Sequence, residues 1–157
     1  ISACLVGSEM CIRDRSRRYV AKKNKTAWYR TIDKLTPGLL DRDLLLMPDM
    51  AAQPDPILSH GKYPHHNCYW ITSDEWDLEV LGGLLMADTT RRFIDALGVK
   101  MRGGTLRFQA QYLRLVHMPK YIQISDTNKL GLSRAFNEKD RALATKFAEA
   151  AYKEATE

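Results

Sequence analysis

The 157-residue chain lacks most features that would assign a function directly. Its three cysteines are an odd number without a CxxC pair, which excludes a disulfide framework and a zinc ribbon. No apolar run approaches the roughly 18 residues of a membrane-spanning helix. Phosphate-binding loops (GxGxxG, GxxxxGK[ST]), GxSxG elbows and HExxH motifs are absent too. On motif evidence, the sequence contains no catalytic, cofactor-binding or metal site.

The composition indicates one soluble globular domain that is mildly basic. Hydrophobic residues make up 45% and charged residues 27% of the chain, and the length suits a single domain. The 24 Lys and Arg residues exceed the 19 Asp and Glu residues, giving a net charge of +5. We expect a cytoplasmic protein without a membrane, and the charge is compatible with a polyanionic partner.

Residues 1–16 differ from the rest of the chain because they show no consistent helical or strand period. They do not begin with Met, and no basic region precedes an apolar stretch, so they are not a signal peptide. The stretch CLVGSEMCIRDR resembles an adapter-derived leader of proteins translated from environmental sequencing reads. We therefore expect a non-native, disordered leader on a truncated gene, with a natural disordered N-terminus as the alternative. Without it the net charge stays +5 and only Cys68 remains.

Charge is distributed unevenly along the remaining sequence. Residues 17–34 carry a net charge of +6, residues 35–97 carry −6, residues 98–120 carry +5, and the remainder is neutral. Two basic segments therefore flank an acidic one, which is typical of a surface with one cationic face. A phosphate backbone is the commonest reason for such a face, although a solvated basic loop explains either segment alone.

Hydrophobic patterning predicts short strands mixed with helices. Apolar runs closed by turns or prolines predict strands at Leu44–Met47, Ile57–Leu58, Asn67–Thr72 and Leu113–Met118. Helices are predicted after an N-cap at Ser73, from Thr89 or Thr90 to Gly98, and after an N-cap at Asn137. Residues 17–27 are interpreted as linker or strand edge. This order lacks regular βαβ alternation, so the predicted fold class is α+β, with a small mixed sheet of short strands and a C-terminal helix.

Two further alternatives are a metal site and a nuclease site. His60, His65, His66 and Cys68 cluster in sequence, but adjacent strand residues point to opposite faces and no second half of a zinc site follows. The carboxylates of a nuclease would have to come from Asp49, Asp55, Asp74 and Glu75. Acids at the start of a helix already explain the last two of these.

The segment from Lys100 to Tyr112 is suited to holding a polyanion. It reads KMRGGTLRFQAQY and combines cations, two glutamines and two aromatics with two glycines, which allow close backbone approach. Lys and Arg neutralise phosphates, and Arg and Gln read guanine and adenine in the major groove. The alternative is a glycine turn between a helix and a strand with incidental charge. Residues 63–70, YPHHNCYW, place polar side chains beside stacking rings in the same way.

Several motifs resemble, in order, the C-terminal region of Taq-type adenine-specific DNA methyltransferases and related fused restriction–modification enzymes. The first are WYRTID at residues 28–33 and LLLMPD at residues 44–49, which is similar to the family's leu-leu-x-Pro-Asp-ile pattern. YPHHN, ITSDEW, KMRGGTLRFQAQYLR and the closing AFNEKDR follow. The resemblance covers about residues 28–152.

The resemblance implies a target-recognition domain at residues 35–157, preceded by a basic linker at 17–34 from a missing upstream methyltransferase domain. The parent enzyme would bind S-adenosylmethionine, flip an adenine out of the duplex and methylate its exocyclic amino group. This chain has no Asn-Pro-Pro motif, so no catalytic residue and no cofactor is carried over. The implied partner is double-stranded DNA. The alternatives are a stand-alone nucleic-acid-binding module or a protein-interaction domain that uses the acidic segment.

The predicted DNA-binding residues fall into two sets. The first set would contact phosphates, guanine or other base edges; it comprises Lys100, Arg102, Gly103, Gly104, Arg107, Gln109 and Gln111. The second comprises Arg30, His65, His66 and Asn67. If Arg102 or Arg107 reads a base pair, its replacement by Ala should weaken DNA binding by about 1–3 kcal/mol.

Overall fold

A computed structural model describes Arg17 and residues 19–23, 36–64, 67–98, 101 and 104–156. The chain divides into two compact units, residues 1–36 and 37–157. In the described part of the first unit, the short helix α1 (Tyr19–Lys23) ends with Lys22 and Lys23. The strand alternative predicted for this stretch is therefore wrong at these five residues, and the predicted leader lies outside the described residues.

The second unit contains five described strands in two small antiparallel sheets. They are β1 (Asp43–Pro48), β2 (Met50–Ala51), β3 (Ile57–His60), β4 (Cys68–Ile71) and β5 (Leu106–Arg107). In the first sheet β1 is the central strand, between β3 and β4, and in the second sheet β2 pairs with β5. Three of the predicted strands are confirmed, because short apolar runs closed by turns form β1, β3 and β4.

Helices follow the first sheet and close the chain. They are α2 (Leu78–Met86), α3 (Asp88–Leu97), α4 (Ala110–Leu113), α5 (Asp126–Glu138) and α6 (Arg141–Glu154), with 3-10 turns at Pro37–Leu39 and Tyr121–Gln123. Together with the antiparallel strands they confirm the α+β class and the C-terminal helix. Within the part of the chain that the structure describes, no helix has the length and apolar character needed to cross a membrane.

Helix α2 is the centre of the hydrophobic core. Every residue from Val80 to Met86 is buried, and the helix packs against α5, α6 and β1. The pair Gly82–Gly83 faces α5, where an added Cβ would meet the Phe136 ring and the Leu132 backbone. The glycines therefore allow α2 and α5 to cross closely.

Helix boundaries account for most of the wrong predictions. The Ser73 hydroxyl accepts hydrogen bonds from the backbone N–H groups of Glu75 and Trp76, so it closes a local turn. Asp77 caps α2 instead. Asn137 lies inside α5, a helix that the sequence did not predict, and Asp140 caps the last helix α6. The side chains of all these residues can cap, so only tertiary packing decides which of them does.

The predicted strand at Leu113–Met118 is also wrong. Residues 110–113 form α4, and turns follow it. Its apolar residues pack against the core in this irregular conformation: Val116 is buried, and Leu113 and Met118 are partly buried. A short apolar run that ends at a proline does not by itself distinguish a strand from a packed turn.

Glu154 connects the end of α6 to the start of α5, since its carboxylate accepts a hydrogen bond from the Ser125 backbone N–H at 3.0 Å. That bond, followed by side-chain bonds from Asn128 and Ser125, lowers the pKa of Glu154. A carboxyl with a lowered folded-state pKa adds stability above its unfolded pKa and loses it as the pH falls through the folded value. We expect Glu154→Gln to flatten the loss of stability between about pH 5 and pH 3, measured by urea denaturation; unchanged pH dependence would contradict this role.

Candidate nucleic-acid interface

Asp49 joins the two small sheets. It follows β1 directly and precedes β2, so it lies where the chain changes partner from β4 to β5. Its backbone N–H donates to the Asn67 carbonyl at 2.9 Å, and its carbonyl accepts from the Phe108 N–H at 2.7 Å. Asn67 belongs to one predicted DNA-binding set and Phe108 lies within the segment of the other. The structure therefore brings described parts of the two sets together around one residue.

The Asp49 carboxylate forms an ion pair with Arg107, one of the predicted DNA contacts. The Arg107 Nη2 donates to Asp49 Oδ2 at 2.8 Å. The side chain of Asp49 is only 17% exposed and that of Arg107 is 36% exposed. The hydrogen bond and the charge of Asp49 both raise the pKa of Arg107, so the guanidinium remains charged. Arg107 is thus held in place by a carboxylate of its own chain.

The residues around β5 alternate between core and surface. Leu106 is 4% exposed and Phe108 is fully buried, whereas Arg107 and Gln109 are partly exposed. Alternation with a period of two places Arg107 and Gln109 on the outward side of this segment. Burial of Leu106 and Phe108 therefore fixes which way the two predicted DNA contacts face.

The two predicted glutamines lie at the start of α4. Gln109 is its N-cap residue, although its side chain makes no capping bond. The Gln111 amide Nε2 donates instead to the Gln109 Oε1 at 3.0 Å. This bond orients both amides, and it leaves hydrogen-bonding capacity on each for an outside partner.

Gly104 forms the turn that leads into β5. Its φ of +78° lies in the left-handed region, which glycine adopts without steric cost. The Met101 N–H donates to the Thr105 carbonyl across this turn at 3.0 Å. The turn between a helix and a strand that the sequence offered as an alternative is therefore present. It leaves Gly104 exposed close to Arg107 in the chain.

A groove of about 450 Å³ runs between β4 and α4. Its lining consists mainly of apolar side chains and one cation; the residues are Cys68, Tyr69, Trp70, Ile71, Ala110, Leu113 and Arg114. Trp70 is 43% exposed, while Tyr69 packs against the core, so only one of these adjacent rings contributes to the core. Arg114 is exposed and was not among the predicted site residues, although it lies in the basic segment 98–120.

Six predicted contacts lie outside the described residues: Arg30, His65, His66, Lys100, Arg102 and Gly103. The others, Asn67, Gly104, Arg107, Gln109 and Gln111, belong to the region just described. Sequence reasoning missed Asp49 as part of this region, because it considered Asp49 only as a nuclease carboxylate. The signal that could have identified it was its position directly after a strand that ends in proline.

The register of the first sheet argues against the zinc alternative. Asp43 lies opposite His60, whereas Pro48 lies opposite Cys68. At about 3.3 Å per residue these two pairs are roughly 16 Å apart along β1, too far for His60 and Cys68 to share one metal ion. His60 instead pairs with Asp43, with Nδ1 and Oδ1 2.7 Å apart. Among the described residues, no group of three potential ligands could hold a metal ion.

The proposed nuclease carboxylates also have different partners. Asp74 pairs with Arg42, Asp55 lies 3.5 Å from Lys139, and Asp49 pairs with Arg107. Arg42 and Asp49 flank opposite ends of β1. These carboxylates therefore do not form the paired arrangement that two-metal hydrolysis requires.

An acidic groove of about 540 Å³ lies at the other end of β1. Its charged lining residues are Asp41, Asp43, Asp74, Asp77, Glu79 and Arg42. The charge therefore differs between the two ends of β1: five carboxylates and one arginine line the groove at its start, whereas the Arg107–Asp49 pair and Arg114 lie near its end. The acidic groove is formed by residues of the acidic segment 35–97, and Arg107 and Arg114 belong to the basic segment 98–120.

Comparison with curated proteins finds type II methyltransferases. M.PaeR7I of Pseudomonas aeruginosa is 42% identical over 124 residues, which are 78% of this chain and 22% of that protein. M.XhoI of Xanthomonas vasicola is 42% identical over 130 residues, 82% of this chain and 24% of that protein. M.BstVI of Geobacillus stearothermophilus is 40% identical over 113 residues, 71% of this chain and 20% of that protein.

The similarity covers most of this chain but only a fifth to a quarter of each relative. It confirms the predicted resemblance to one region of a methyltransferase. No protein-family model matches the chain.

Proposed function

Since this chain is similar over most of its length to one segment of type II methyltransferases, we propose that it is the DNA-binding, target-recognition part of a site-specific methyltransferase. The observation that carries the proposal is the Asp49 junction. Asp49 bonds to the Arg107 side chain and to the backbone of Asn67 and Phe108, so two residues that the sequence predicts as DNA contacts meet at it.

The surface chemistry suits a DNA duplex. Arg107 and Gln109 present donors of the kind that read base edges. Arg114 is exposed at the groove between β4 and α4, where none of the ion pairs among the described residues includes it, so its guanidinium could contact a phosphate. Trp70 supplies exposed apolar area at the same groove. The acidic groove at the far end of β1 would repel phosphates and so restrict binding to one face.

The chemical step belongs to the parent protein in this proposal. The parent would transfer a methyl group from S-adenosylmethionine to the exocyclic amino group of an adenine that it rotates out of the duplex. The sequence of this chain contains neither an Asn-Pro-Pro motif nor a glycine-rich loop that would bind that cofactor. Its residues would instead bind the duplex, set the register of the enzyme on it and select the sequence, in a cytoplasmic restriction–modification system.

The first test is the salt dependence of binding to double-stranded DNA. We expect the full chain to bind a mixed-sequence duplex at about 50 mM salt, and Arg114→Gln to weaken binding at that salt several-fold. The slope of log Kd against log salt should fall by about 0.9, because one phosphate contact is lost. Fluorescence anisotropy with a labelled duplex measures both quantities.

Arg134→Gln is the matched control. Arg134 is an exposed arginine on α5 that pairs with Glu138 at 2.9 Å, and α5 packs mainly on α2 and α6. The same loss of charge there should leave the slope unchanged. Equal effects of the two variants would show that net charge, and not this surface, attracts DNA.

The acidic groove supports a second candidate, a protein-interaction domain that uses residues 35–97. Five carboxylates line that groove with a single arginine, which would suit a basic peptide. This candidate predicts no DNA binding even at low salt, where the electrostatic attraction is largest. The anisotropy experiment therefore distinguishes the two functions.

A further inference from the structure

We propose that Asp49 is a positioning residue that orients the Arg107 guanidinium toward a base edge of DNA. The inference rests on the proposed function and names the kind of contact that this region makes. Asp49 itself would not contact DNA; it would set the direction in which Arg107 presents its donors.

The backbone of Asp49 is fixed on both sides. Its N–H donates to the carbonyl of Asn67, which directly precedes β4, and its carbonyl accepts from the N–H of Phe108, which directly follows β5. The side chain of Asp49 is 17% exposed. Its Oδ1 also accepts a long hydrogen bond of 3.4 Å from the Tyr69 hydroxyl. An anchor held at the backbone and at the carboxylate limits the positions that the bonded guanidinium can adopt.

The Arg107 guanidinium is bonded to Asp49 through only one of its three nitrogen atoms. Its Nη2 bonds to Asp49 Oδ2, and its Nε is buried without a hydrogen-bond partner among the described residues. Since Nε is inaccessible, the exposed part of the group is its terminal Nη pair. The bond to Asp49 uses one hydrogen of Nη2, and the side chain is 36% exposed. Nη1 and the second hydrogen of Nη2 would then form the donor pair for a bidentate contact to guanine N7 and O6.

The pairing favours a base over a phosphate as the partner of Arg107. The positive charge of Arg107 is already offset by a carboxylate 2.8 Å away, so the pair attracts a phosphate less than a free arginine would. If Arg107 left Asp49 to bind a DNA phosphate, the mostly buried Asp49 carboxylate would be unpaired, which is strongly unfavourable. Arg107 therefore stays on Asp49 and contributes selectivity more than electrostatic affinity.

The test is Asp49→Asn in the full chain, compared with the unchanged protein. Asparagine keeps the size and an acceptor oxygen for Arg107 but removes the charge. The probe is a pool of random-sequence duplexes, from which bound molecules are selected and sequenced, together with anisotropy titrations on one mixed-sequence duplex. Circular dichroism and thermal unfolding check that each variant is folded.

We expect the unchanged chain to select one base pair by roughly 5- to 100-fold over the alternatives at that position. Asp49→Asn should lose most of this preference, because a neutral amide holds the guanidinium less firmly than a carboxylate does. The salt slope on the mixed-sequence duplex should steepen by about 0.9, because the charge of Arg107 is no longer offset and can neutralise a phosphate. A purely structural role would weaken binding to all sequences alike without steepening the slope. Retained selection and slope in the variant would overturn the inference.

A second variant decides the question if Asp49→Asn does not fold. Arg107→Lys keeps the charge and the pairing with Asp49 but lacks the planar fork. We expect an unchanged salt slope and loss of the selected base; retained selection would overturn the inference. DNA binding without any sequence selection in the unchanged chain would overturn it too, while the binding role stands. No DNA binding at low salt would instead reject the proposed function itself.

Discussion

Phe108→Ala is expected to destabilise the domain by about 3–5 kcal/mol, the usual cost of removing a large aromatic side chain from a core. Phe108 is fully buried and belongs to the hydrophobic cluster around α2. Few neighbours of a fully buried ring can relax into the space that it leaves. Because the total stability of a domain is about 5–15 kcal/mol, this single change approaches the limit of folding.

The variant also has a consequence for the proposed DNA contacts. Phe108 lies between Arg107 and Gln109, and its N–H bonds to the Asp49 carbonyl. Loss of the ring removes the packing that orients both neighbours outward. We therefore expect DNA affinity to fall together with stability, even at temperatures where the variant is still folded.

Thermal denaturation followed by circular dichroism measures the stability change, which corresponds to a midpoint lower by roughly 10–20 °C. Ile122→Ala is the control, since Ile122 is 87% exposed and its truncation should change stability by less than about 0.5 kcal/mol. The unfolding midpoint of Phe108→Leu should lie between those of Phe108→Ala and Ile122→Ala. A midpoint within about 3 °C of the unchanged protein would show that Phe108 does not hold this segment in place.

Strands were predictable from the sequence where an apolar run is closed by a strong turn residue. Leu44–Met47 ends at Pro48 and forms the buried central strand β1, because every β1 residue from Leu44 to Pro48 is at least half-buried among its neighbours. The run Leu113–Met118 has the same appearance but packs as a turn after α4. The two segments differ in their pairing partners. Strand β1 is paired on both sides by other strands, and such long-range pairing cannot be recognised from a local sequence pattern.

Helix α5 was not predicted because its sequence lacks a clear apolar stripe. Of its residues only Asn128, Gly131, Leu132, Ala135 and Phe136 are buried, and two of these are polar or without a side chain. Gly131 lies so close to α6 that an added Cβ would meet the Phe147 ring. Tertiary contact with α2 and α6 stabilises this helix more than its own periodicity does.

The sequence could indicate the residue types of the candidate site but not their arrangement in space. Basic residues, glutamines and glycines in segment 98–120 indicated a polyanion surface, and the described members of that segment include Arg107, Gln109 and Arg114. Asp49 is 58 positions away from Arg107 in the chain. A carboxylate that neutralises a predicted DNA contact can be recognised only when the fold brings the two together.

Gly83→Ala is expected to destabilise the domain by about 2–3 kcal/mol, although alanine favours helix formation by about 1 kcal/mol over glycine. An added Cβ would lie 2.5 Å from the Leu132 carbonyl oxygen and 3.0 Å from the Leu132 Cβ. A backbone carbonyl cannot rotate away as a side chain can, so α2 and α5 would have to separate. Separation would open space around Val80–Met86, the most buried stretch of the core.

Gly82→Ala provides a graded comparison within the same helix. Its added Cβ would meet the Phe136 ring at 2.5 Å, a side chain that can move, so we expect a smaller loss of about 1 kcal/mol. Gly38→Ala is the neutral control, because nothing lies within 4 Å of an added Cβ there. Urea denaturation gives all three values. If Gly83→Ala were as stable as Gly38→Ala, α2 and α5 would not approach each other this closely, and the glycine pair would need another explanation.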